Sequence, residues 1–158
     1  MKRTLAFAST DGLMVLVHGT EAPSDAEWGR YLDAWLVYFE GRGDSRLLIV
    51  TQGAAPSSGQ RQRMVERIRG LRKRPMRGAL LTDSAFARMV VNALAATEDS
   101  WLGGVYRAIK PGSADSQFYR AFGRQEVRRA LTWLELPPSR EADVRRTIAT
   151  LEAELAQG

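Results

Sequence analysis

Ser57 and Ser58 sit where an apolar run gives way to small residues and then to a charged helix. Leu47-Leu48-Ile49-Val50-Thr51 comes first, Gln52-Gly53-Ala54-Ala55-Pro56 follows, and the serines and Gly59 come next. A strand, a small-residue turn and a helix start is the order in which open α/β folds present their sites, at the carboxyl ends of strands. A serine here has two readings. It is a phosphoacceptor, whose phosphoryl group the helix dipole and Arg61 would favour. Or it is a plain N-cap, worth about 1 kcal/mol. The loop does not read as a nucleotide site, because Gln60-Arg61 stands where a phosphate-binding loop needs lysine followed by serine or threonine. A looser anion site, built from backbone N–H groups with Arg61 and Arg63, stays open.

The stretch behind the serines is strongly one-signed. Arg61, Arg63, Arg67, Arg69 and Arg72 lie in it, Lys73, Arg74 and Arg77 follow, and Glu66 is the one acid between 61 and 77. One reading is a surface for an anionic ligand, nucleic acid or an acidic membrane; the other is a solvated helix face. Aromatic residues do not interleave with these arginines, which counts against single-stranded nucleic acid. Asp83 and Ser84 follow a further apolar run, Leu80-Leu81-Thr82, so they too fall at a strand's carboxyl end, where helix capping accounts for both. His18 ends the run Leu13-Met14-Val15-Leu16-Val17. With no Gly-x-Ser-x-Gly elbow to partner it, it reads as a structural histidine.

Composition narrows the chemistry. The chain has 158 residues, a formal net charge of +5, no cysteine and one histidine. That length suits one domain, able to bury about two-thirds of its unfolded surface without a staple. No cysteine means no disulfide, thiol nucleophile or thiolate metal site, and suits a reducing cytoplasm. One histidine excludes a multi-histidine metal centre. No metal or cofactor is expected, and no paired-carboxylate or nucleophile–base pattern points to an enzyme. The first apolar run is broken by Ser9-Thr10-Asp11-Gly12, so it reads as neither a signal peptide nor a membrane span.

The elements that must position these residues follow from hydrophobic periodicity. Residues 3–8 and 13–17 predict two strands, with Thr10-Asp11-Gly12 as their hairpin turn. Ser24 and Glu27 have capping-box spacing. Trp28, Tyr31, Leu32, Trp35, Leu36 and Phe39 then form a helical stripe that Gly41 closes. The stripe reads as a face packed on a sheet rather than a ligand cage. Residues 46–51 predict a strand, and 59–73 a helix with Met64, Val65, Ile68 and Leu71 inward. Residues 78–82 predict another strand, before a helix with Phe86, Met89, Val90, Ala93 and Leu94 inward. Residues 98–116 read as either a helix face or a strand, and 117–122 as an edge strand. A helix opens at Gly123 with Val127, Ala130, Leu131 and Leu134 inward. A last helix carries Val144, Ile148, Leu151 and Leu155, and either packs on the domain or pairs with a second copy. An antiparallel hairpin ahead of strands that alternate with helices is an α/β layout.

This order, with Pro56-Ser57-Ser58-Gly59 at a helix start after the third strand, resembles the STAS domain, and more closely its SpoIIAA-like relatives among anti-sigma-factor antagonists. The resemblance also draws on Leu80-Leu81-Thr82-Asp83-Ser84, on Arg120-Ala121-Phe122, and on Glu126 through Ala130 with Trp133 and Leu134. It covers about residues 3–136 of a domain spanning 1–136, leaving 137–158 as an added helix. It implies a mixed sheet of about five strands with helices packed on it. It also implies a non-enzymatic regulatory domain with a protein partner such as a kinase or an anti-sigma factor, and a serine switch at Ser57 or Ser58. The chain departs from the family where Pro56 replaces an aspartate and Gln60-Arg61 follows the glycine.

Overall fold

The computed structural model describes residues 2–69, 76–85, 87–89, 91 and 119–158, with the backbone alone for 68 and 69. Among these residues, five strands form one sheet in sequential order. They are β1 (Leu5–Thr10), β2 (Leu13–His18), β3 (Ser45–Thr51), β4 (Met76–Thr82) and β5 (Tyr119–Gly123). β1 runs antiparallel to β2, and each later neighbour is parallel. The helices are α1 (Asp25–Glu40), α2 (Ser58–Arg69), α3 (Val127–Trp133) and α4 (Glu141–Gln157), with a 3₁₀ turn at Pro138–Arg140. The fold is α/β with a mixed five-stranded sheet and a C-terminal helix, as the pattern predicts.

Sequential order explains how the layers are filled. Each step from β2 to β4 moves one strand in the same direction. Crossovers of one hand then place their helices on one face. Strand side chains alternate between faces. Met14, Leu16, Leu47 and Leu80 accordingly share a core with Trp28, Tyr31 and Trp35 of α1 and Met64 of α2. The intervening residues, Val15, Val17, Leu48, Val50 and Leu81, face the other way. Their cover is Leu131 of α3 and Val144, Ile148, Leu151 and Leu155 of α4. Helix α4 therefore lies against β1 and β2, and Arg3 meets Glu154 at 2.7 Å. Arg46 Nε donates to Leu134 O at 2.6 Å and Arg77 Nη1 to Trp133 O at 3.1 Å. Two of the chain's arginines thus serve the carbonyl end of α3, where a helix dipole favours positive charge.

Local rules set the element ends. Thr10 pairs with Leu13 across the hairpin, and of the two turn residues only Gly12 takes a positive φ, 74°. Ser24 and Glu27 form the full capping box at the start of α1. The stripe on α1 is buried at Trp28, Tyr31, Leu32, Trp35 and Phe39, with rings in successive contact from 5.2 to 6.5 Å apart. Gly41 ends α1 at φ −75°, a conformation open to any residue.

Three expectations are corrected. The helix expected to open at Gly123 starts at Val127, because β5 runs through Gly123 and the Glu126 carboxylate takes the Gly123 N–H at 2.6 Å, closing a turn first. Met89 does not face the core; it is 62% exposed. Ala87 and Val91, one helical turn apart, line the sheet side instead. The helix after β3 starts at Ser58, one residue early, because Ser57 holds its cap. Expectations for Leu71, Arg72, Phe86, Val90, Ala93, Leu94 and residues 98–116 lie outside the described residues.

Candidate functional site

The carboxyl ends of β2, β3 and β4 point to one edge of the sheet, and the loop after β3 runs along it. Thr51 Oγ1 accepts the Gly53 N–H at 3.0 Å and donates to Ala54 O at 2.8 Å, so the loop is folded on the end of its own strand. Gly53 takes φ 127°, a region that disfavours side chains. Ala54 N then bonds Gly19 O, tying the loop to the end of β2.

Ser57 caps α2. Its Oγ accepts the Gln60 N–H at 3.2 Å while Gln60 Oε1 accepts the Ser57 N–H at 2.9 Å, a reciprocal capping box. Ser58 is the exposed first residue of the helix, and the first turn of α2 carries no acid. In the sequence Gln60 registers only as a departure from a motif. It is a buried hub. Its Nε2 donates to Pro23 O at 2.8 Å and to Asp25 Oδ1 at 3.0 Å, and its backbone carbonyl accepts Trp28 Nε1–H at 2.8 Å. One side chain thus locks the start of α2 to the start of α1.

The arginines do not form one open basic face. Arg63 reaches Asp25 at 2.5 Å and Arg67 pairs with Asp33, both across to α1. The Gln60 amide and then Arg63 hold the Asp25 carboxyl below its usual range. Arg61 donates to Pro56 O at 2.7 Å and stays by the loop. Arg69 is in α2, its side chain outside the described atoms, and Arg72 lies outside the described residues. Asp83 is exposed. Ser84 Oγ accepts the Ala87 N–H at 3.0 Å, and Ser84 N donates to Thr82 Oγ1 at 3.2 Å, so Ser84 caps as expected.

Beneath the loop, between the sheet and the crossover helices, lies a cavity of about 340 Å³. Its floor follows from strand periodicity. Residues two apart share a face, and on three strands the cavity face turns from apolar to polar at the carboxyl end. Leu16 precedes His18 on β2, Leu47 and Ile49 precede Thr51 on β3, and Leu80 precedes Thr82 on β4. Trp28 and Tyr31 of α1 wall one side, so the aromatic stripe divides between core and cavity. Tyr119 of β5 lies opposite Gly78 in the parallel register. A Cβ on Gly78 would stand 2.3 Å from its Cδ2, so only glycine there lets this ring lie across the cavity floor.

Two buried polar atoms in this wall have no hydrogen-bond partner among the described residues: His18 Nδ1 and Tyr31 Oη. His18 is 3% exposed, and burial pushes its imidazole down to about 4, so it is neutral at neutral pH. Burial, with Tyr119 adding to it, raises the Tyr31 phenol above its ordinary value. Buried polar groups are nearly always paired, and each exception asks for an explanation. A buried, neutral His18 is compatible with the structural reading of the sequence, which gives no sign of the cavity as a whole. The legible signal was the pairs Leu16/His18, Ile49/Thr51 and Leu80/Thr82, in which each inward row ends on a polar residue.

No protein-family model, no curated protein and no solved structure matches this chain. No helix among the described residues is long and apolar enough to cross a membrane.

Proposed function

We propose that the chain is a non-enzymatic regulatory domain of STAS type that docks a protein partner through residues 53–58 and the start of α2. The partner is a kinase, an anti-sigma factor or a similar cytoplasmic regulator. One observation carries this reading: two exposed serines stand on a loop braced from below, by Thr51 at one end and Gln60 at the other. A braced, exposed loop offers a partner a surface already in its bound shape, which lowers the ordering cost of association. A phosphoryl group on Ser58 would sit at the N-terminus of a 12-residue helix with no acid in its first turn and Arg61 one turn on. Ser57 already uses its oxygen on Gln60 N, so Ser58 is the better acceptor of the two.

Intact-mass and peptide mass spectrometry of the protein from its native host tests the switch. The expected result is a fraction carrying one phosphoryl group on Ser58 that changes with growth state. Unmodified Ser57 and Ser58 in every state removes the switch.

The alternative, an electrostatic binder of nucleic acid or an anionic membrane, draws on the same helix but has less support. Arg63 and Arg67 direct their charge at Asp25 and Asp33. A second copy of the chain held by α4 also has less support, because the residues that would pair, Val144, Ile148, Leu151 and Leu155, are buried within the chain.

A further inference from the structure

We infer that the free edge of β1 pairs with β1 of a second copy of this chain, antiparallel about a two-fold axis at Ala8, so that two five-stranded sheets become one. The contact is apart from the serine loop and from the buried seam of α4, and it stands whether or not the loop docks a partner.

The backbone marks out the stretch. β1 is the first strand of the sequential sheet, so one side of it has no neighbouring strand among the described residues. Residues of an antiparallel pair point their N–H and C=O alternately toward the partner strand and away from it. Thr10 faces Leu13 across a two-residue turn, so it bonds inward, and so do Ala8 and Ala6. Leu5, Phe7 and Ser9 point outward. Arg3 Nε donates to Leu5 O at 3.3 Å, and past the other end Arg140 donates to Asp11 O. The outward groups of Phe7 and Ser9 have no partner among the described residues. Four open backbone groups therefore lie between two arginine-held carbonyls, two on either side of Ala8.

Exposed edges are ordinarily guarded by lysine, proline or a bulge. β1 reads Leu-Ala-Phe-Ala-Ser-Thr, without charge or proline, and its six pairs with β2 run without a bulge. A groove of about 400 Å³ lies along it, between Phe7 and Ala8 on the strand and Asp143, Arg146, Thr147 and Thr150 on α4. A strand added to the edge would lie in this groove.

A second copy is the occupant that the edge matches. A two-fold axis at Ala8 sets Phe7 against Ser9 of the second copy, twice. Each such pair exchanges two bonds, so all the open groups on both copies are met at once. Ala8 meets Ala8 in the close, non-hydrogen-bonded position, where Cα atoms stand about 4.5 Å apart and a small side chain fits. The two Phe7 rings become diagonal neighbours on one face, within aromatic reach. Charge points the same way. The chain carries +5, yet the charges beside this edge are matched within it, Asp143 by Arg146 and Glu154 by Arg3. Two copies meet without net repulsion, whereas a charged partner segment finds no complement.

Light scattering of the full chain across a concentration series tests the contact. The expected mass is twice the chain's 17.6 kDa, falling toward a single chain on dilution. Ser9→Pro removes an outward donor and spares the inward ladder; Ser9→Lys sets a guard at an exposed site. Each should raise the midpoint of the dilution series about tenfold or more, with circular dichroism unchanged. If Ser9→Pro does not fold, Ser9→Lys decides. The chain has no cysteine, so Ala8→Cys reports the register. Its thiols meet at the axis within disulfide reach, and oxidation should give a covalent dimer. Ser9→Cys, whose two copies stand two positions out of line, should give far less. A single-chain mass at every concentration overturns the proposal. So does a dimer that Ser9→Lys leaves intact, and so does Ser9→Cys cross-linking as fully as Ala8→Cys.

Discussion

Glu27 accepts four hydrogen bonds, and its replacement by glutamine has a size and a pH signature that follow from them. Oε1 takes the Thr4 N–H at 2.8 Å; Oε2 takes Thr4 Oγ1 at 2.8 Å, Ser24 Oγ at 2.9 Å and the Ser24 N–H at 3.0 Å. Burial alone would raise this carboxyl. The four bonds outweigh it and bring it from 4.5 down to about 2. Each pH unit between folded and unfolded values is worth about 1.4 kcal/mol, so the ionised group stabilises the fold by about 3 kcal/mol. A glutamine keeps the shape but has one acceptor oxygen, and its NH₂ would face a donor. The folded value is depressed, so the stabilisation is complete above pH 4.5 and is lost as pH falls toward 2. Urea unfolding of wild type and Glu27→Gln at pH 7, 5, 4 and 3 measures it. The gap should be about 3 kcal/mol at pH 7 and 5, and should shrink at pH 4 and again at pH 3. Other carboxylates titrate in both proteins and cancel. A gap under about 1 kcal/mol at pH 7, or one of the same size at pH 3, refutes the reasoning.

Two further outcomes follow. His18 is held at about 4 when folded against an ordinary 6.5, so wild type should lose up to about 3 kcal/mol as pH falls from 6.5 to 4, a loss absent from His18→Phe; parallel unfolding curves across that window would show the imidazole to be solvated. Leu151, 3% exposed on α4, should cost about 2–5 kcal/mol when changed to alanine, with no change in mass by light scattering; a variant of full stability and altered mass would place α4 between subunits.

What could be read from the residues was whatever rests on short spacing. The Ser24–Glu27 cap, the Asp11-Gly12 turn and the inward positions of α1 each depend on neighbours within one or two turns of chain. The cavity depends on four strands and the helical segments over them meeting, so its outline is not legible in the sequence, though its polar ends are present in the strand rows. Gln60 was missed because its partners, Pro23, Asp25 and Trp28, lie far back in the chain and no periodicity links them. The hydrophobic pattern turns Met89 inward because a long apolar side chain outranks alanine in it. In the structure Ala87 and Val91 line the cavity instead, and Met89 is exposed. The arginine run looked uncompensated because Asp25 and Asp33 belong to a different helix.

The sheet's sequential order also sets a timetable. A ribosome makes β1 and β2 first, and the faces of Ala6, Val15 and Val17 need α4 to cover them. Arg3 and Glu154, which close that contact, are 151 positions apart. Until residues 141–157 emerge, the hairpin carries one apolar face with nothing on it. Contacts of such long separation slow folding and leave the nascent chain open to misassociation. The domain therefore completes the cover of its second core late, after α3 has begun it, and a chain halted shortly before α4 leaves the β1–β2 side open to chaperones and proteases.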